Sequence, residues 1–178
     1  MRPAHSINNH LPQGVTDTTY QIRTAELEDL PRIQDIYAHA RKFMAETGNP
    51  NQWGTTHPPV ETLREDIRQG QLYVATAGDT IHGVFMFFLG EDPTYRQIFE
   101  GNWLSDAPYG TIHRIASDGS GGILKAAVAF CGEKCAHLRI DTHHDNQVMQ
   151  RAIEKAGFSR RGIIYIADGT PRIAYEKV

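Results

Sequence analysis

The feature that most constrains this chain is the run Ser117-Asp118-Gly119-Ser120-Gly121-Gly122, set between a β-rich stretch at 111–116 and a helical pattern that begins at Ile123. Glycines let a backbone approach a ligand closely, because no side chain stands in the way. The first amides of the helix have no partner inside it, and the helix dipole favours an anion beside them. Such a loop suits a pyrophosphate, but it serves equally as a tight strand-to-helix connection. Neither G-x-G-x-x-G nor G-x-x-x-x-G-K-[ST] occurs in it, so no nucleotide fingerprint separates the two readings.

The flanking segments have readable periods. A short strand at 20–24 precedes a helix that starts at Asp29-Leu30-Pro31, with Asp29 as cap and proline in the first turn. Its stripe is Leu30, Ile33, Ile36, Tyr37, Ala40, Phe43 and Met44, and Gly48-Asn49-Pro50-Asn51 ends it. A second helix runs from Pro59 to Gly70 with Val60, Leu63 and Ile67 inward. Strands at 71–77 and 81–89 flank the turn Gly78-Asp79. An irregular stretch at 91–108 carries Tyr95, Phe99 and Trp103. After the helix at Ile123 come a strand at 138–142 and a helix bearing Val148, Met149, Ala152, Ile153 and Ala156. Strands at 158–166 and 172–177 close the chain around Asp168-Gly169. The order β-α-α-β-β-β-α-β-α-β-β predicts an α+β domain. Its centre would be a mixed, mostly antiparallel twisted sheet of six to seven strands with about four helices.

Composition excludes several classes. The chain has 178 residues, 40% of them hydrophobic, which suits one domain with a sizeable core. A net charge of −3 provides no concentrated basic face for nucleic acid. No run approaches the roughly 20 apolar residues that span a bilayer. Residues 1–19 are polar, lack a signal-peptide apolar region and read as a disordered lead-in to a domain at 20–178. Cys131 and Cys135 lie four apart, which fits core packing in a reducing, cytoplasmic setting better than a disulfide or a metal site.

Three stretches together resemble the GNAT superfamily of acyl-CoA-dependent N-acetyltransferases. They are Ile22-Arg23-Thr24-Ala25 with Glu28-Asp29-Leu30, the strand-loop-helix at 111–136, and Leu138-Arg139-Ile140-Asp141 through Asn146 to Glu154-Lys155-Ala156-Gly157-Phe158. The resemblance spans about residues 20–178 and implies a single GNAT-like domain with acetyl-CoA as cosubstrate. It implies that acetyl-CoA lies in a splayed gap between the strands at 111–116 and 138–142. Backbone groups near Ile115 and Ser117 would then meet the pantetheine arm. The amides of Asp118, Gly119, Ser120, Gly121, Gly122 and Ile123 would hold the pyrophosphate, with Asn146 near the arm. Two features depart from the family pattern. The loop lacks the usual Arg or Gln and places Asp118 there, so Lys125 is the candidate cation. The family's frequent thiol-protonating tyrosine is replaced by Ile153.

The chemistry sets its own demands. A lysine-like amine with a pKa near 10.4 is neutral only about once in two thousand at pH 7, so a base is useful. His113 is the candidate base, the alternative being a histidine packed within the sheet. Thr111, on the same face, is a candidate to orient a water. Tyr165 is the candidate proton donor in place of the missing tyrosine, against ordinary sheet packing. His143-His144-Asp145 reads as a solvated turn, and no metal is expected. Trp53 and Trp103 are candidates to line an acceptor pocket. The function expected is transfer of acetyl to a primary amine, on a small molecule or peptide, by direct attack. The alternative is a CoA-binding or ligand-sensing module of the same fold. A monomer or homodimer is expected, without nucleic acid or membrane partners.

Overall fold

The computed structural model describes residues 18–178, so the expectation for residues 1–19 falls almost wholly outside the described residues. One open seven-stranded sheet runs through the chain in the order β1-β2-β3-β4-β5-β7-β6. The strands are β1 (Gln21–Thr24), β2 (Leu72–Ala77), β3 (Thr80–Leu89), β4 (Gly110–Ser117), β5 (Leu138–Thr142), β6 (Ser159–Tyr165) and β7 (Pro171–Lys177). The helices are α1 (Leu30–Glu46), α2 (Val60–Arg68), α3 (Ile123–Lys134) and α4 (Gln147–Lys155). Every neighbouring pair is antiparallel except β4 and β5. The class, strand count and helix count expected from the element order are therefore those observed. Among the described residues, no helix is long and apolar enough to cross a membrane.

Strand alternation divides the core between the two faces of the sheet. Val84 and Met86 of β3 pack with Ile33 and Ile36 of α1 and Leu63 of α2. Phe85 and Phe87, one residue out of phase, pack with Ala127 and Cys131 of α3 and Ile153 of α4. The segment between β3 and β4 covers β6 and β7, where Tyr95 and Tyr109 meet Ile164 and Ala174. Its short 3-10 turn, Pro93–Tyr95, is capped by the Asp92 side chain, which accepts from the Thr94 amide at 2.8 Å.

The α1 stripe buries Leu30, Ile33, Ile36 and Tyr37 but not its last members: Phe43 is 45% exposed. Phe43 and Met44 line a groove instead of the core. Asp29 occupies the cap position but makes no side-chain cap bond to α1. Its carboxylate accepts instead from the Glu26 amide (2.8 Å) and from the Arg23 guanidinium (2.7 and 2.9 Å).

The parallel pair positions the site. β4 and β5 pair only at Gly110↔Leu138 and Thr111↔Arg139. Beyond Thr111 the edge of β4 that faces β5 has no strand partner. Opposite β3 the register also shifts near His113, and Arg114 adopts φ 50°. A non-glycine residue at positive φ is uncommon and needs support. The Tyr37 hydroxyl donates to the Arg114 carbonyl at 2.7 Å, and the Arg114 guanidinium pairs with Asp66. The bulge lets four successive residues, Ile112 to Ile115, line one cavity.

Candidate active site

A groove of about 380 Å³ runs along the glycine loop, lined among others by His39, Phe43, Gly121, Leu124 and Met149. The loop is tied down from within. The Asp118 amide donates to the His82 carbonyl (3.0 Å), the Gly119 amide to Ser117 Oγ (3.3 Å) and the Ser120 amide to Asp118 Oδ1 (3.1 Å). Three of the amides expected to hold phosphate are thus engaged by short polar side chains and a neighbouring carbonyl, a competition typical of Asp and Ser in loops. Among the described residues, the amides of Gly121, Gly122, Ile123 and Leu124 have no recorded partner. They form the N-terminus of α3, with Gly122 as cap at φ 85°. The stretch of free amides is therefore shorter than the sequence suggested. The Asp118 carboxylate does not face it: Arg32 Nη2 lies 2.7 Å away and His82 Nδ1 3.0 Å away. Lys125 is not part of the groove lining.

A substitution tests this cradle. A side chain at Gly121 meets open space, and Gly121 does not have the positive φ of Gly119 and Gly122. Gly121→Asp is expected to lower acetyl-CoA affinity at least tenfold, because a carboxylate beside the free amides opposes an anion. The melting temperature should stay within about 2 °C of the native value, since an exposed, unstrained change is worth only a few tenths of a kcal/mol. Normal affinity in a folded variant would show that the cradle lies elsewhere.

A second cavity of about 490 Å³ shares Met44, Ile115, Asn146 and Met149 with the groove, so the two meet at the open edge of β4. Asn146 caps α4, its Oδ1 accepting from the Met149 amide at 3.1 Å, while its Nδ2 donates to Gln52 at 3.0 Å. In the cavity wall His113 Nε2 lies 2.6 Å from Asp92 Oδ2, and His113 Nδ1 lies 3.7 Å from Asp141 Oδ2. Burial alone would raise the Asp92 pKa, but hydrogen bonds from His113 and Thr94 outweigh it and hold the carboxyl at about 2. Against an ionised carboxylate at that distance, Nε2 must carry the proton, which leaves Nδ1 as the basic atom. The Tyr95 hydroxyl donates to Asp141 Oδ2 at 2.7 Å. Burial, reinforced by the Asp141 charge, pushes that phenol well above its ordinary value.

The structure brings together His113, Ile115, Asn146 and the loop, and separates the other candidates from them. Thr111 is fully buried, its hydroxyl has no partner among the described residues, and it does not line the cavity. Tyr165 sits at the far edge of the sheet, 48% exposed and edge-on to Phe99. Trp53 lines the cavity, but Trp103 does not, because it packs flat against the Arg139 guanidinium. His143 is buried, not solvated as expected, since its Nδ1 accepts from the Asp145 amide at 3.1 Å and closes the turn. His144 Nε2 is 3.0 Å from Asp145 Oδ1, so the three residues are engaged in the turn itself. Cys131 is a core residue whose thiol is pushed up to about 12 by burial, whereas Cys135 lies just past the end of α3. Asp92, Asp141 and Arg172 were not singled out from the sequence as members of this site. The only local signal was Asp92-Pro93-Thr94, a turn motif that says nothing about where its carboxylate points.

No family model matches the sequence, and no curated relative matches it. Solved structures do. A GNAT-family acetyltransferase from Streptococcus agalactiae is 29% identical, with a TM-score of 0.80 over 89% of this chain and 95% of that one. A GNAT-family acetyltransferase from Listeria monocytogenes is 17% identical, with a TM-score of 0.64 over 89% and 94% of the two chains. A ribosomal-protein-alanine N-acetyltransferase from Brucella melitensis is 18% identical, with a TM-score of 0.58 over 89% and 99%. The chain has the fold of the GNAT superfamily of acetyltransferases, to whose solved members it is similar over nearly its whole described length.

Proposed function

We propose that this protein transfers the acetyl group of acetyl-CoA to a primary amine by direct attack. The observation that carries the reading is the His113–Asp92 pair, placed in the cavity that opens onto the groove at the unpaired edge of β4. The groove fits a CoA-like ligand, with free amides at the α3 N-terminus for phosphate and exposed strand edge for an amide-bearing arm. When bound there, acetyl-CoA supplies the thioester carbonyl and a thiolate leaving group.

The chain's own residues prepare the amine. His113 Nδ1 takes the proton that the amine must lose, and Asp92 holds the ring in the tautomer that leaves Nδ1 free. Asp141 steadies the charge beside it, with its second partner Tyr95 held protonated. Unpaired β4 amides beyond Thr111 are the donors available to the thioester oxygen. No tyrosine lines the groove, and Ile153 is buried in the core. The thiolate therefore leaves without a tyrosine donor, which a thiol of pKa near 8.5 permits.

Acetyl-CoA at a hundredfold excess over its Kd should stabilise the fold by about 2.7 kcal/mol, read as a rise in melting temperature. Thiol release with a panel of amines then tests turnover. A melting curve unmoved by millimolar acetyl-CoA would sink the reading. Tight binding without release on any amine would favour a sensing module instead.

A further inference from the structure

Three of the arginines that pack against the sheet and its loops meet a carboxylate. Arg32 pairs with Asp118, Arg114 with Asp66 and Arg139 with Glu176. Arg172, near the start of β7, meets none among the described residues. It is 7% exposed and lines the 490 Å³ cavity. Its one recorded hydrogen bond runs from Nη1 to the carbonyl of its own neighbour, Pro171, at 3.1 Å. Asp141 and Asp168 line the same cavity and act on it through space, but neither forms an ion pair with it. Asp141 is held by Tyr95, and Asp168 accepts from the Thr170 amide at 2.8 Å.

A buried guanidinium that touches no carboxylate is costly, and it stays charged. Its planar fork matches a carboxylate in two-point fashion. β7 and β4 flank β5, and Arg172 and His113 line the same cavity from these two strands. The cavity thus offers carboxylates and a base around His113, and an unanswered cation at Arg172.

Resting on the transfer reading above, we infer that the acceptor is an amino-acid-like molecule, a small amine that also carries a carboxylate, and that Arg172 receives the carboxylate. Arg172 is then the specificity residue of the acceptor site, whereas His113 serves the amine.

The experiment compares the twenty standard α-amino acids, β-alanine and γ-aminobutyrate, each beside its carboxamide. Thiol release is measured by kcat/KM, and binding to the CoA-loaded protein by calorimetry. Loss of a charge-assisted bidentate contact should make acids better than amides on the order of 10- to 100-fold for the preferred acceptor. Arg172→Gln should shrink that ratio at least tenfold, mainly through KM, and Arg172→Lys should restore part of it. Arg172→Gln should melt no lower than the native protein, because it removes an unpaired buried charge. Amides used as well as acids, or a ratio that survives in Arg172→Gln, overturns the inference. Acids that bind better than amides without being acetylated would uphold the Arg172 site and overturn the transfer reading instead. The native acid-to-amide comparison decides the matter even if a variant fails to fold.

Discussion

Replacing His113 by alanine is expected to slow acetyl transfer at pH 7 about 100-fold or more, with little change in acetyl-CoA affinity. The native rate should rise with pH less steeply than that of the variant, because a general base spares the acceptor from deprotonating unaided. Asp92 does not share that limb, because its carboxyl is held at about 2 and stays ionised across the working range. In His113→Ala the rate should keep rising with pH as the acceptor deprotonates unaided, towards about 10.4 for a lysine-like amine. Alanine also strips Asp92 of its closest partner, although both bonds from Thr94 remain. His113→Gln separates the two roles, since its amide can still donate to Asp92 but has no lone pair that titrates. A histidine that merely packs in the sheet predicts lost stability with native turnover in the surviving molecules. An unchanged pH profile in either variant would remove His113 from the chemistry.

Glu176→Ala is expected to cost about 3–5 kcal/mol of stability, a loss of about 10 °C in melting temperature for a domain of this size. Glu176 is fully buried and accepts from His137 Nε2 (2.6 Å), Arg139 Nε (3.1 Å) and the Leu104 amide. Arg139 in turn lies 3.9 Å from the Trp103 and Tyr109 rings and donates to the Ser105 carbonyl at 2.7 Å. The cluster pins the segment between β3 and β4 to β5 and β7. Removing the carboxylate strands a buried cation and an amide donor. The double variant Glu176→Ala with Arg139→Met should recover part of the loss by removing the stranded charge. Because the pinned segment also carries Asp92, the single variant should turn over more slowly even below its melting point. A melting temperature within about 2 °C of native would show that the cluster contributes no net stability.

Much of the fold was legible because it depends on local pattern. The α1 stripe from Leu30 to Tyr37, the alternation along β3 and the strand-loop-helix around Gly121 and Gly122 each follow from neighbours a few residues apart. These patterns placed the strand that bears His113 and the glycine turn after it without any knowledge of distant contacts. Local pattern misled where a side chain had a competing use. The Asp118 and Ser117 side chains took loop amides that seemed free for phosphate. The end of α1 continued an apolar stripe to Phe43 and Met44, but there it meets a groove in place of the core. Trp103 looked like pocket lining until Arg139 claimed its face.

What only tertiary structure decided is the chemistry's surroundings. Asp92 reaches His113 across 21 residues of chain, and Tyr95 reaches Asp141 across 46. No periodicity encodes such meetings, which depend on how the irregular segment folds over β5 and β7. The same holds for Arg172, which touches no carboxylate among the described residues, a fact visible only when every neighbour is in place. By itself the sequence determined the element order and the strand bearing His113, because backbone preference and apolar spacing act over short range. The pairing of charges, and hence the character of the site, was decided by strand order and by the parting of β4 from β5 after Thr111.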